Sequence, residues 1–201
     1  MPDTSTGRVR VAVLISGAGS NMAALIDAAT RAGAPFEVVL VLSNKPDAGG
    51  LALAENMGVA TAVVDHTPFG KDRAAHEQAI QSTLDAHRVE VVALAGYMRL
   101  LTPFLVGRWA GRMLNIHPSL LPKYPGLDTH ARAIAAGDAE AGCTVHLVTE
   151  GVDEGPVLGQ ARVPVLDDDT PASLARRVLA AEHRLYPAAL ADFCRAQIRS
   201  S

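Results

Sequence analysis

Two cysteines in 201 residues are too few for a disulfide framework or a cysteine-rich zinc site. Cys143 and Cys194 are therefore expected as reduced thiols in a cytoplasmic protein, Cys143 as buried filler. Aromatic residues make up only 4%, which argues against a platform that stacks several bases. Lysine is scarce: of 18 basic residues 3 are Lys and 15 are Arg, and the formal net charge is −3. With no excess of base, nucleic acid is not an expected partner. No apolar run approaches the length of a membrane span. The first ten residues are polar, and the apolar run 11–15 is too short for a signal peptide. Neither a membrane nor a leader is expected. What the chain does have is 49% hydrophobic and 19% charged residues, enough for a large core and against disorder.

The N-terminal half alternates two patterns. Short runs rich in Val and Leu occur at 9–15, 37–42, 59–64, 90–95 and 112–116. Segments of helical periodicity lie between them at 21–32, 47–57, 71–87 and 103–109. The strand runs are almost continuously apolar, as expected when helices cover both faces of a parallel sheet. Ser20 or Asn21 is expected to cap the first helix, and Thr102 to cap the one that opens with Pro103. Gly33 and Gly58 stand where helices end.

The pattern changes after His117. Three prolines within 117–127 imply an ordered, irregular loop, followed by a short helix over 129–136. Two further strands, 143–149 and 156–165, are joined by only six residues, so they are expected to pair antiparallel. Asp167 to Asp169 reads as a solvated acidic turn. A last helix from Thr170-Pro171 to about 198 carries Leu174, Val178, Leu185 and Leu190 on its apolar face. The expectation is one α/β domain over 1–201. It has three Rossmann-like layers, a mainly parallel sheet finished by an antiparallel hairpin, and a long C-terminal helix.

Ser16-Gly17-Ala18-Gly19-Ser20-Asn21 joins the first strand to a helix. Such a turn lets backbone N–H groups and a helix N-terminus face an anion such as phosphate. A dinucleotide fingerprint would need a third glycine where Met22 stands, and an acidic residue where Ser43 and Asn44 stand. A Walker loop is absent, since Gly70-Lys71-Asp72 lacks the Ser or Thr. A tight turn without a ligand stays open as the plainer reading.

Asn115 and His117 end the fifth strand on one face. Ligands of open α/β sheets bind beyond the carboxyl ends of strands, where the glycine loop also lies. An Asn and a His there can stabilise an oxyanion, and the His can move protons. Asp153 lies in the turn that approaches the same edge and would favour the charged imidazole. No serine-hydrolase elbow occurs, Cys143 has no sign of activation, and the seven histidines show no zinc-binding spacing. With no protein nucleophile evident, a transfer in which the substrate itself attacks fits these residues. His130 and His146 stay open between a supporting and a purely structural role.

Three runs then carry a resemblance. Leu14-Ile15-Ser16-Gly17-Ala18-Gly19-Ser20-Asn21, Ala95-Gly96-Tyr97-Met98-Arg99-Leu100-Leu101 and Leu114-Asn115-Ile116-His117-Pro118-Ser119-Leu120-Leu121-Pro122 together resemble the phosphoribosylglycinamide formyltransferases, a family of folate-dependent formyltransferases. Lys123-Tyr124-Pro125-Gly126-Leu127, Asp153-Glu154-Gly155-Pro156 and Glu182-His183-Arg184-Leu185-Tyr186-Pro187 extend it to about residues 8–193. The resemblance implies formyl transfer from 10-formyltetrahydrofolate to the amine of glycinamide ribonucleotide in purine synthesis, without a metal. It implies a phosphate-binding half (about 8–110) and a folate and catalytic half (about 111–198). Asn115, His117 and Asp153 would be catalytic. Gly19, Ser20, Asn21, Leu179 and Glu182 would hold the ribonucleotide. Arg73, Met98, Arg99, Leu100, Leu101 and Asn115, with the loop Thr149, Glu150, Gly151, Val152 and Asp153, would hold the folate.

The sequence departs from the family at Asp128, where His is frequent, and at Glu154, where Gly is common. It departs also at Leu179, where a polar residue occurs in some members and where contact is expected through the backbone. Methionyl-tRNA formyltransferase and formyltetrahydrofolate hydrolase share the Asn-x-His-Pro-Ser-Leu-Leu-Pro run but carry an additional domain. A non-catalytic phosphate-binding module would have no reason to gather Asn115, His117 and Asp153. The expected partners are small molecules, and the expected state is a monomer or homodimer.

Overall fold

Alternate residues of the first apolar run are buried in opposite directions. Val11, Val13 and Ile15 join one apolar cluster, whereas Ala12 and Leu14 join another. That alternation makes the run a central strand covered on both faces. The computed structural model describes residues 7–200; residues 1–6 and 201, at the ends of the expected domain, lie outside the described residues. Its elements are β1 (Val9–Ile15), α1 (Ser20–Ala29), β2 (Phe36–Ser43), α2 (Gly49–Asn56), β3 (Thr61–Val63), α3 (Arg73–Ala86), β4 (Val91–Leu94), α4 (Pro103–Arg108), β5 (Met113–His117), α5 (Thr129–Ala135), β6 (Glu140–Leu147), β7 (Val157–Pro164) and α6 (Pro171–Ser200).

The strands form a single seven-stranded sheet in the order β3-β2-β1-β4-β5-β6-β7. The first five in that order are parallel, and β6 runs antiparallel to both β5 and β7. One face packs under α1, α2, α5 and α6 through Met22, Leu25, Leu51, Ala54, Ala133, Leu174, Val178, Tyr186 and Leu190. The other packs under α3 and α4 through Ile80, Leu84, Leu105 and Trp109. The three-layer expectation is met. So is the apolar face of the last helix: Leu174, Val178 and Leu190 are buried, and Leu185 packs half-buried against the same cluster.

Several local expectations change. The third strand shrinks to Thr61–Val63, because the Val59 N–H is used to close the end of α2 on the Ala54 carbonyl. The sixth strand begins at Glu140 instead of residue 143, since pairing with β7 recruits residues of weak strand preference. Neither Ser20 nor Asn21 caps α1; Gly19 is the cap residue and no side chain bonds there. Thr102 precedes Pro103 as the cap residue of α4, but its hydroxyl points to Glu77 instead of its own helix. Asp169 is not solvated: Arg177 binds it through two bonds of 2.7 and 3.0 Å, and its side chain is only 2% exposed. Asp167 and Asp168 remain exposed.

Candidate active site

The strand order decides where a site can form. From β1 the chain crosses outward to β2 and β3, then returns to place β4 on the other side of β1. The loops after β1 and β4 therefore diverge, leaving a crevice at their carboxyl ends. The glycine loop leaves β1 there, the loop 95–102 leaves β4, and Asn115 and His117 end the next strand.

Gly19 caps α1 with φ 78°, a left-handed conformation open to glycine at little strain. A Cβ on Gly19 would sit 2.9 Å from Gly50 Cα and 3.1 Å from Met22 Cε. Met22, where a dinucleotide site would have its third glycine, is fully buried, worth about 1.5–3 kcal/mol. The loop is thus packed from below by Met22 and from the side by the start of α2. There the Gly50 N–H donates to the Gly17 carbonyl at 3.0 Å. Gly50 was not singled out from sequence; Gly49-Gly50 opening a helix was the available signal. With no capping side chain, the first amides of α1 are arranged to accept an anion.

Asn21 turns its amide away from the loop and donates from Nδ2 to Glu182 Oε2 on α6 at 2.6 Å. Its Oδ1 is buried without a partner. Glu182 is 6% exposed, and burial pushes its carboxyl above the ordinary range, against the opposing bond from Asn21. Leu179 lies half-buried one turn earlier on α6. Its backbone groups lie within the helix α6, where each N–H and C=O is part of the helical hydrogen-bond ladder.

On β5, Leu114 and Ile116 face the α6 side and Met113 faces the α3–α4 side. Asn115 and His117 continue the Met113 face past the end of its apolar cluster. The antiparallel register sets His146 directly opposite Asn115. Asn115 Nδ2 lies 3.2 Å from His146 Nε2, while His146 Nδ1–H donates to the Leu147 carbonyl at 2.9 Å. Asp153 bridges both rings, with Oδ2 at 3.3 Å from His117 Nδ1 and Oδ1 at 3.6 Å from His146 Nε2. His117 Nε2–H donates to the Tyr124 carbonyl at 2.9 Å, and the Gly126 N–H donates to Asp153 at 2.9 Å.

Burial raises the Asp153 carboxyl, but His146, the Gly126 amide and the charge on His117 outweigh it, and the group ends below its ordinary value. It is therefore an anion at neutral pH, and a proton on His117 Nδ1 would face it. His146 thus belongs to the constellation, and the β5–β6 register was the signal that could have identified it. His130 is half-buried behind this group with Nε2 unpartnered; burial and the neighbouring His117 lower its pKa.

The loop after β4 exposes apolar side chains: Met98 is 66% and Leu100 63% exposed, flanked by half-buried Arg99 and Leu101. Across the crevice Val152 is 52% exposed in the 149–153 turn. Arg73 stands exposed at the start of α3. Glu154 is exposed, and Asp128 is exposed in a left-handed conformation (φ 57°) before α5. Among the described residues, no group of three or more His, Cys, Asp or Glu could hold a metal ion. No helix among them is long and apolar enough to cross a membrane.

The chain is similar to several known proteins. A Brucella melitensis structure described as phosphoribosylglycinamide formyltransferase superposes with a TM-score of 0.89 at 58% identity, covering 93% of this chain and 96% of that one. A sequence of the same description from Escherichia coli is 44% identical over 95% of this chain and 90% of its own length. The trifunctional purine biosynthetic protein adenosine-3 of Drosophila melanogaster is 50% identical over 93% of this chain. The chain spans only 14–18% of the length of the trifunctional relatives it matches. Matched over residues 9–190, from β1 into α6, the chain belongs to the formyl transferase family.

Proposed function

We propose that the protein transfers the formyl group of 10-formyltetrahydrofolate to the amine of glycinamide ribonucleotide, a step of purine synthesis. The observation that carries this reading is the Asp153 bridge between His117 and His146 beside Asn115, at the same crevice as the glycine loop. The description of full-length relatives as phosphoribosylglycinamide formyltransferases agrees with it.

In this reading the substrate amine attacks the formyl carbon directly. As the C–N bond forms, the carbonyl oxygen gains negative charge; when the bond from that carbon to the folate nitrogen breaks, the charge returns. The amine gives up a proton and the folate nitrogen gains one. Asn115 Nδ2, 3.2 Å from His146 Nε2, offers an N–H to the oxyanion. A protonated His117, held between the Tyr124 carbonyl and Asp153, supplies positive charge beside it. Asp153, an anion 3.3 Å from the ring, relays the proton. One such donor contributes about 3 kcal/mol to lowering the barrier. The glycine loop and Glu182 hold the ribonucleotide, and residues 98–101 with 149–153 hold the folate. No covalent enzyme intermediate is part of this scheme.

The test is the folate absorbance change with purified protein and both substrates. Turnover that requires the ribonucleotide is expected. No turnover, or equal turnover without it, sinks the proposal.

A further inference from the structure

Glu77 is a carboxylate on α3, away from the crevice floor, and only 2% exposed. Burying a carboxylate is unfavourable unless hydrogen bonds replace its water. Both replacements come from a single residue. The Thr102 N–H donates to Oε1 at 2.7 Å, and the Thr102 hydroxyl donates to Oε2 in a second, short bond.

Thr102 is the last residue of the loop that presents Met98 and Leu100. The loop's other end is held as tightly. Ser16, buried at the end of β1, accepts the Met98 N–H on its Oγ at 2.8 Å and donates its own hydroxyl to Asn44 Oδ1 at 2.6 Å. Four residues carrying two widely exposed apolar side chains are therefore strung between two buried polar anchors. A free loop would fold such side chains inward. The anchors hold them outward as a pre-formed apolar strip.

A purely structural role, keeping α4 on α3, is met by another bond. Trp109 Nε1 donates to Gln81 Oε1 at 2.8 Å, one turn further along α3. The α3–α4 contact thus has a polar tie of its own, and Glu77 is left to set the loop.

We propose that Glu77 is a positioning residue: through Thr102 it holds residues 98–101 pre-formed to receive the flat ring of the folate substrate. This rests on the functional reading above, which assigns that loop to the folate. Preorganisation lowers the ordering cost of binding and so acts on affinity for that one substrate.

The experiment joins amide hydrogen exchange with two-substrate kinetics on Glu77→Ala, Glu77→Gln and Thr102→Val. Gln keeps one acceptor for the Thr102 N–H and can donate to its hydroxyl, so it recovers most of the wild-type behaviour. In Glu77→Ala the amides of 98–102 exchange at least about tenfold faster and the KM for the folate rises about tenfold, with the KM for the ribonucleotide unchanged within about twofold. Thr102→Val, which keeps the backbone bond and the fold, gives a smaller shift in the same direction. Unchanged exchange at 98–102 in Glu77→Ala overturns the proposal, as does an equal rise in both KM values. A wild-type protein without turnover overturns the functional reading alone, since exchange still decides whether Glu77 holds the loop.

Discussion

Asn21 and Glu182 are 161 positions apart in the chain and 2.6 Å apart in space. The bond ties the glycine loop to α6 and draws the amide of Asn21 off the loop. Sequence alone suggested Asn21 as a helix cap or a phosphate donor. The structure makes it the partner of a buried carboxylate, with a second atom, Oδ1, left without a bond. A ribose hydroxyl is a group that could complete both. Glu182→Ala is therefore expected to raise the KM for the ribonucleotide on the order of tenfold or more, the loss of a charged hydrogen bond, while the folate KM stays within about twofold. Steady-state kinetics with each substrate varied separately checks this.

At the other end of the crevice, His117 and Asp153 form the contact on which the proposed chemistry depends. His117→Ala should lower kcat by about 10²–10³. Asp153→Asn should have a similar effect, because the amide has no charge to balance the imidazolium. Near-wild-type kcat in either variant removes the residue from the mechanism. Binding of the ribonucleotide, followed by calorimetry, should change little in both.

The two thiols should be silent. Burial pushes both Cys143 and Cys194 up to about 12, and both are fully buried and free. The thiolate is the reactive form, so neither should react with a thiol reagent in the native protein at pH 8. Both should react after unfolding. Rapid native labelling of either would place it near the surface and contradict the packing on β6 or α6.

Acid stability should depend on Asp169. The Arg177 guanidinium, the Leu166 amide and the Ser173 hydroxyl hold its carboxyl far below the usual carboxylate range. A lowered folded pKa means a stabilising contribution present above the ordinary carboxylate pKa of about 4 and lost as pH falls through the lowered value. Asp169→Asn should lower Tm near neutrality and flatten its decline below about pH 4. A variant whose Tm tracks wild type at every pH would show that the pair contributes nothing.

Much of the fold was legible because its signals are local. Continuous apolar runs marked the buried parallel strands, and six residues between the last two strands could not span a crossover. The ends of elements were less legible. Val59 is apolar and falls in the strand run 59–64, yet its N–H closes α2. Glu140-Ala141-Gly142 lies before the strand expected from residue 143, yet pairing with β7 makes it strand. In the site, Asn115, His117 and Asp153 were legible from strand-end position and motif. Glu77, Ser16 and Gly50 were not, since each acts by holding a backbone segment distant in sequence.

By itself the sequence determined the layered α/β architecture, the glycine turn after the first strand and the residue types available for formyl transfer. These follow from periodicity and from side-chain chemistry, which are properties of short stretches. Only the tertiary structure decided the rest. The switch in strand order opened the crevice, and the β5–β6 register set His146 against Asn115. The turn after β6 brought Asp153 onto both histidines, and Glu77 took hold of Thr102. Each of these depends on which segments meet across the sheet, and the packing of the whole chain selects that.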